Sequence, residues 1–441
     1  MSKASRHWAL AATLAFLFLL AAPARSQNQV DQDDETTEEE EVEVEDVQRE
    51  RVPLDLFLGY ESEPAMDYFG RVVASGDALL ARAFAGIGDA GVRHPGLAPV
   101  WEFPVAAAVL LVQHEGMGHG GRAREFGLGP SYGAGFDFSA YTTTKRAPHD
   151  HEELALIASG GVEADGVMAR RLLFDALGPD GIDGAQVPLL MMAKLDLTVY
   201  VASAPRPRPG NDEGDFAHEY RHGHDMVIYL VGRQSQRLGG TASDVWEGLY
   251  EPDFDEPLLR DTWDDARAAA LWNVLDPSLG AALVGYFRQH VLGGKARVHS
   301  PALRLGESAR LTLGTRAALG PESISRFLDV QAAGSWGVLD VYARQLDSSI
   351  DTSFGYGAAL HRLPIGPMSL SLSADTWDEP ASAENPTADN GGSRWNASLE
   401  IELRRGRWGG ALKVGGKSDG FFPGTPRDSG VYAGAGVIAV W

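Results

Sequence analysis

After Pro301 the spacing of apolar residues changes from a period near 3.6 to a period of two, and this change constrains the chain more than any other feature. Eight alternating segments follow, centred on residues 309–317, 327–333, 338–346, 354–361, 368–375, 395–404, 408–417 and 431–441. Turn signals separate them, among them Gly-Pro at 320 and 366, Asp-Ser-Ser at 347 and an Asn/Asp/Gly-rich loop from 379 to 393. In the sixth segment Trp395, Ala397, Leu399, Ile401 and Leu403 share one face, while Asn396, Ser398, Glu400, Glu402 and Arg404 share the other. Such a run reads as an eight-stranded antiparallel sheet closed into a barrel.

Alternation alone does not say which face meets water. The even count, strands of about ten residues and aromatic residues at strand ends (Trp336, Trp377, Trp395, Trp408, Trp441) favour a barrel that spans a bilayer. The ending, with Val431, Ala433, Ala435, Val437, Ala439 and Trp441 on one face, resembles the assembly signal of bacterial outer-membrane barrel proteins. That resemblance implies a transmembrane barrel in contact with outer-membrane lipid. A soluble β-sandwich or lipocalin-like barrel shares the pattern and is the alternative. In a narrow eight-stranded barrel Arg310, Arg316, Asp329, Asp340, Arg344, Glu400, Glu402, Arg404 and Lys413 would fill the lumen as a salt network, making it an anchor rather than a pore.

Residues 1–24 read as a signal peptide: Lys3 and Arg6 precede an apolar run, and Ala22-Pro23-Ala24 offers a cleavage site. Residues 25–51 form an acidic tail; between 31 and 50 there are twelve acids and one Arg, too charged to fold alone. The net charge of −23 argues against nucleic acid as a partner. The lack of cysteine excludes disulfides, thiolate metal sites and thiol nucleophiles. The expected organisation is therefore α+β and multi-domain: an exported chain with a helical domain over 52–300 and the barrel over 301–441.

The chemistry is concentrated in 103–127, FPVAAAVLLVQHEGMGHGGRAREFG. An apolar run leads into His114, Glu115 and His119. Two histidines and a glutamate on a buried helix are costly unless they share a task. Zinc helices usually place their histidines four apart, about 40° around the axis; five apart gives about 140°. A one-residue π-bulge would bring the imidazoles together, and Gly116 and Gly118 make such a distortion cheap. An H-E-x-x-x-H zinc motif of this kind occurs in a dipeptidyl-peptidase family.

With one residue inserted, His114-Glu115 and Gly118-His119, then Gly120, Ala123, Arg124 and Gly127, resemble the H-E-x-G-H helix of the site-2-protease-like metallopeptidases. Gly161 to Ala169 resembles that group's second helix, with Asp165 where Asn is usual. The resemblance implies a zinc site with a third, acidic ligand. Glu163 would complete a set of the gluzincin type; Asp196, in Leu195-Asp196-Leu197, would complete the site-2-protease set. Glu163 is preferred for its place on a helix that follows the active-site helix. Glu115 is then the general base for a metal-activated water attacking a peptide bond, and Asp165 orients a histidine ring.

A literal H-E-x-x-H stands at His218 to His222, with His224 following. It lacks a leading apolar helix, and its readings are the main metal site in place of His114/His119, a second ion site, a source of the third ligand or a solvated helix start. His149 and His151 read first as a capped helix start. The expected function is a zinc peptidase anchored in the bacterial outer membrane and acting on protein or peptide substrates. The alternative is a non-enzymatic outer-membrane protein, either a degenerate metallopeptidase scaffold or a partner- or lipid-binding domain.

Overall fold

The computed structural model describes residues 53–87, 95–135, 140–210, 214–306, 309–381 and 392–440. The expected signal peptide and acidic tail lie outside the described residues. Strand β1 (Asp55–Glu61) opens the fold and runs into helix α1 (Met66–Ile87). Helix α2 (Ala98–Leu111), begun by a proline in its first turn, continues without a break into a π-helical turn (Val112–His119) and helix α3 (Gly120–Glu125). A hairpin of β2 (Pro130–Ala134) and β3 (Ala140–Thr144) follows.

Helix α4 (His151–Leu177) is the centre of the molecule. Asp150 caps it by accepting the Glu153 amide, as the capped start at 149–151 predicts. It is buried along most of its length; the small residues Ala158, Ser159, Gly160, Gly161 and Ala164 let its neighbours approach closely. After β4 (Ile182–Asp183) come α5 (Gln186–Ser203), α6 (Asp215–Arg221), α7 (Asp225–Leu238), α8 (Ala242–Trp246), α9 (Pro257–Val274) and α10 (Pro277–Gly285). A second π-helical turn (Tyr286–Val291) leads to β5 (Arg297–Val298), which pairs with β4. No described helix is long and apolar enough to cross a membrane.

The eight alternating segments all form strands: β7 (Ala309–Leu319), β8 (Ile324–Gly334), β9 (Gly337–Asp347), β10 (Thr352–Ile365), β11 (Met368–Asp378), β12 (Ser393–Arg405), β13 (Trp408–Lys417) and β14 (Gly430–Val440). Each pairs antiparallel with the next. With the short β6 (Leu303–Leu305), the sheet nonetheless has ten strands among the described residues, in the order β1-β14-β13-β12-β11-β10-β9-β8-β7-β6. Strand β6 pairs with β7, and β1 pairs with β14 from Asp55↔Val440 to Glu61↔Gly434. The expected closed eight-stranded barrel is thus corrected to an open ten-stranded sheet. Among the described residues the edge strands β1 and β6 are not paired with each other, and helices pack on the sheet's charged face.

The sheet's two faces are inverted relative to a soluble one. In β12, Trp395, Ile401 and Leu403 are exposed while Asn396, Glu400 and Glu402 are buried. The same reversal holds in β8, β9 and β13, which expose Leu328, Val330, Leu339, Val341, Leu412 and Val414 and bury Asp329, Gln331, Asp340, Arg344 and Lys417. The expected salt network exists, but its partners come largely from the helices. Arg71 of α1 reaches Glu400 at 2.8 Å and Glu402 at 2.6 Å; Arg170 of α4 reaches Asp340 at 2.7 Å; Lys413 reaches Asp67 at 2.7 Å. Apolar clusters also join the two parts: Leu319 and Ile324 pack with α4, α7 and α9, and Ala333, Val338 and Ala359 pack with α4 and α5.

Candidate metal centre

The π-helical turn spans Val112–His119, where the five-residue spacing of the histidines predicts one. Widening the helix by one residue brings His114 and His119 onto the same side; their ring centroids are 4.9 Å apart. A ring nitrogen of each and a carboxylate oxygen of Glu115 lie within 4.8 Å of one another. Gln113 pins the turn from within, its Nε2 donating to the carbonyls of Met66 (3.0 Å) and Ala164 (3.1 Å).

The turn crosses α4 at backbone contact. A Cβ on Gly118 would stand 2.4 Å from Gly161 Cα and 2.6 Å from the Gly160 carbonyl oxygen. Gly118 therefore serves the helix crossing, whereas Gly116 faces open space. Along α4, Ile157, Gly161 and Asp165 are four apart and share one face. The Ile157 carbonyl accepts from His119 Nδ1 at 2.6 Å, Gly161 makes room for the His114 ring, and Asp165 meets His114 Nδ1 at 2.9 Å. Asp165 therefore meets a histidine ring, the contact expected of it from the sequence.

Asp196 of α5 also meets His114 Nδ1, at 3.1 Å. Two carboxylates thus converge on a single ring nitrogen. Burial, followed by the charge of Asp196, pushes the Asp165 carboxyl well above its usual range. Burial depresses the His114 imidazole, but the charge of Asp196 and the hydrogen bonds with both aspartates outweigh it and raise it well above its ordinary value. This trio is itself a second set of ligand atoms within 4.8 Å of one another.

His119 differs in one respect. Its Nδ1 faces a carbonyl, which only accepts, so Nδ1 carries the proton and the lone pair of the neutral ring sits on Nε2. That Nε2 is buried and has no hydrogen-bond partner. Its nearest acid is Asp225, the first residue of α7, with Oδ2 3.4 Å away. Tyr200 of α5 flanks the same space, its ring 5.8 Å from that of His114 and its hydroxyl donating to the Ala158 carbonyl. Burial, then the charge of Asp225, holds its phenol far above its normal range. Glu115 is half-buried, and Thr142 of β3 donates to its Oε2 at 2.8 Å.

Glu163, the acid expected as third ligand, points elsewhere. Two residues along a helix is a rotation of about 200°, which carries Glu163 away from the face of Gly161 and Asp165. It accepts from Arg122 Nε at 3.0 Å and from Nη2, and from the Gly424 amide at 2.7 Å. Arg122 is fully buried. His218 on α6 and His222 at its C-cap lie exposed, outside this cluster, and His151 meets Ser235 at 3.1 Å. Asp225, Tyr200 and Thr142 were not among the residues that the sequence motifs point to. Asp225 carried one usable signal, its place directly after a histidine-rich segment and at the start of a helix.

Comparison with known proteins finds no matching family model, no matching curated protein and no matching solved structure.

Proposed function

We propose that the protein is a zinc-dependent peptidase held in the bacterial outer membrane by its sheet. The observation that carries the catalytic part is the buried, unpartnered Nε2 of His119, facing inward beside His114 and Glu115. A buried nitrogen lone pair without a donor is costly, and a cation supplies what it lacks. The residues present fit such an ion in their chemistry: two imidazoles, each held at Nδ1 by an oxygen acceptor, share a cluster with a Glu115 carboxylate oxygen, and Asp225, 3.4 Å from His119 Nε2, is the acid we assign to the third position. When bound, zinc would acidify a water molecule and polarise a substrate carbonyl.

The chain's own groups do the rest. Glu115, adjacent to the histidines and steadied by Thr142, accepts the proton of the attacking water and returns it to the leaving amine. Asp165 and Asp196 hold His114 by Nδ1 and keep its other nitrogen directed away from them. The assignment to peptide hydrolysis, rather than to another hydrolysis, rests on the resemblance of the His114–Gly127 segment to the site-2-protease-like helix.

The membrane part rests on the exposed apolar face. Leu58, Leu328, Val341, Phe354, Tyr356, Leu412 and Val431 all project from it, while charged residues line the opposite face. A soluble sandwich or lipocalin-like barrel would bury these residues. Water tolerates such a continuous apolar surface poorly; hydrocarbon accepts it.

The test is a purified, detergent-solubilised chain assayed for zinc content and for cleavage of a denatured protein substrate. Glu115→Gln is expected to keep zinc and lose at least about a hundredfold in activity, and His119→Ala to lose both. Wild-type protein that neither holds zinc nor cleaves any substrate after zinc loading would defeat the catalytic reading.

A further inference from the structure

The literal H-E-x-x-H segment plays no part in the centre described above, yet its two histidines are not randomly disposed. His218 lies on α6 and His222 caps its end, so they stand on successive turns of one face. Both are exposed. Their rings lie side by side, centroids 4.0 Å apart and planes inclined by 34°. Histidines four apart on one helical face have the spacing with which two imidazoles grip one ion.

The tautomer of His222 is set by its surroundings. Its Nδ1 lies 2.7 Å from the His218 carbonyl oxygen, which can only accept, so Nδ1 bears the proton and Nε2 carries the lone pair outward. A metal-ligating histidine typically has its other nitrogen held in this way, by a backbone carbonyl or a carboxylate. His224 is engaged elsewhere: its Nε2 meets Ser203 Oγ at 3.0 Å, and its amide donates to the Glu219 carbonyl. His218 and His222 are therefore the two imidazoles this segment can offer an ion.

We propose that His218 and His222 form an accessory site for a divalent transition metal, distinct from the His114/His119 centre. Imidazole pairs select borderline ions, so the order is Cu2+ above Ni2+ and Zn2+, with Mg2+ and Ca2+ excluded because they require oxygen ligands. The site closes the end of α6, directly before Gly223 (φ 74°) and His224 lead the chain into α7 and Asp225. Binding there ties down the turn that carries Asp225 to His119.

The experiment is calorimetric titration of the full-length, detergent-solubilised protein with Ni2+ alone and then Cu2+ alone. The proteins compared are wild type, His114→Ala/His119→Ala, His218→Ala and His222→Ala. The expected result is a site that survives in His114→Ala/His119→Ala and weakens by roughly tenfold or more in His218→Ala and in His222→Ala. If the buried centre holds no metal, wild type shows one site rather than two, and the surface variants still remove it. Hydrogen exchange of residues 215–222 gives an independent reading, with Ni2+ slowing it in wild type but not in His218→Ala. Unchanged Ni2+ affinity in both single surface variants, or no Ni2+ site in wild type, overturns the proposal.

Discussion

Gly161 lies flat against the imidazole of His114: a Cβ built on it would stand 2.2 Å from Nε2. The glycine is there because α4 and the π-helical turn cross with a histidine ring between them, and no larger residue leaves that ring its place. Replacing Gly161 with Ala must displace the His114 ring or the helix crossing that holds it. The expected outcome is a fall in zinc affinity of roughly tenfold or more, with activity lost in parallel. Gly166→Ala, on the same helix but facing open space, is the control. It is expected to raise stability by up to about 1 kcal/mol and leave zinc content alone. Zinc titration and thermal melts of the two variants decide the matter.

Glu163 and Asp225 are separable by the same pair of measurements. Glu163→Gln leaves the buried Arg122 without its main counter-charge, the kind of change that costs about 3–5 kcal/mol. Zinc content is expected to survive in whatever fraction folds. Asp225→Asn, at a partly exposed side chain, is expected to melt near wild type and to lose zinc affinity. Zinc lost in Glu163→Gln and kept in Asp225→Asn would return the third position to Glu163.

Asp77, on α1, is buried with neither carboxylate oxygen hydrogen-bonded. Burial, with the charges of Glu102 and Asp183, pushes its carboxyl up to about 8. Its folded value therefore lies above its unfolded one, and the folded state holds the extra proton. Stability from this group is fully present below about pH 4 and declines as pH rises towards 8, with a limiting slope of about 1.4 kcal/mol per pH unit. Asp77→Asn is expected to flatten that part of the profile and to exceed wild type in stability at pH 8. Denaturant melts between pH 5 and 9 would show it; superimposable profiles would contradict it.

Leu412 stands midway along β13 and is 60 % exposed on the apolar face. Leu412→Arg is expected to impair insertion into lipid vesicles by about 2–4 kcal/mol, the cost of a cation at mid-bilayer depth. Heat-modifiable electrophoretic migration after refolding into vesicles measures the inserted fraction. A variant that inserts as well as wild type, or a wild type that is soluble and monomeric without detergent, would remove the membrane reading.

Much of the site was legible in residue spacing. Histidines five apart cannot face one point on a regular helix, and the chain adopts the wider turn at His114 and His119. Asp165 was expected to meet a histidine ring, and it lies 2.9 Å from His114 Nδ1. Glu163 lies close to the active-site helix in sequence, but helical phase turns it to the opposite face of α4, towards Arg122 and Gly424. Asp225 could not have been found this way, since it reaches His119 only through the packing of α7 on α4.

By itself, the amino-acid order determined the local periods: which stretches coil, which extend, where the eight long strands run and which residues share each face. Those properties depend on neighbours a few positions apart. The tertiary structure decided what lies against each face. It drew β1 from residues 55–61 into the sheet, left the ladder open, turned the charged face towards α1 and α4 and the apolar face outward, and brought Asp225 to His119. Contacts between residues more than a hundred positions apart set these outcomes, and local spacing carries no record of such distant partners.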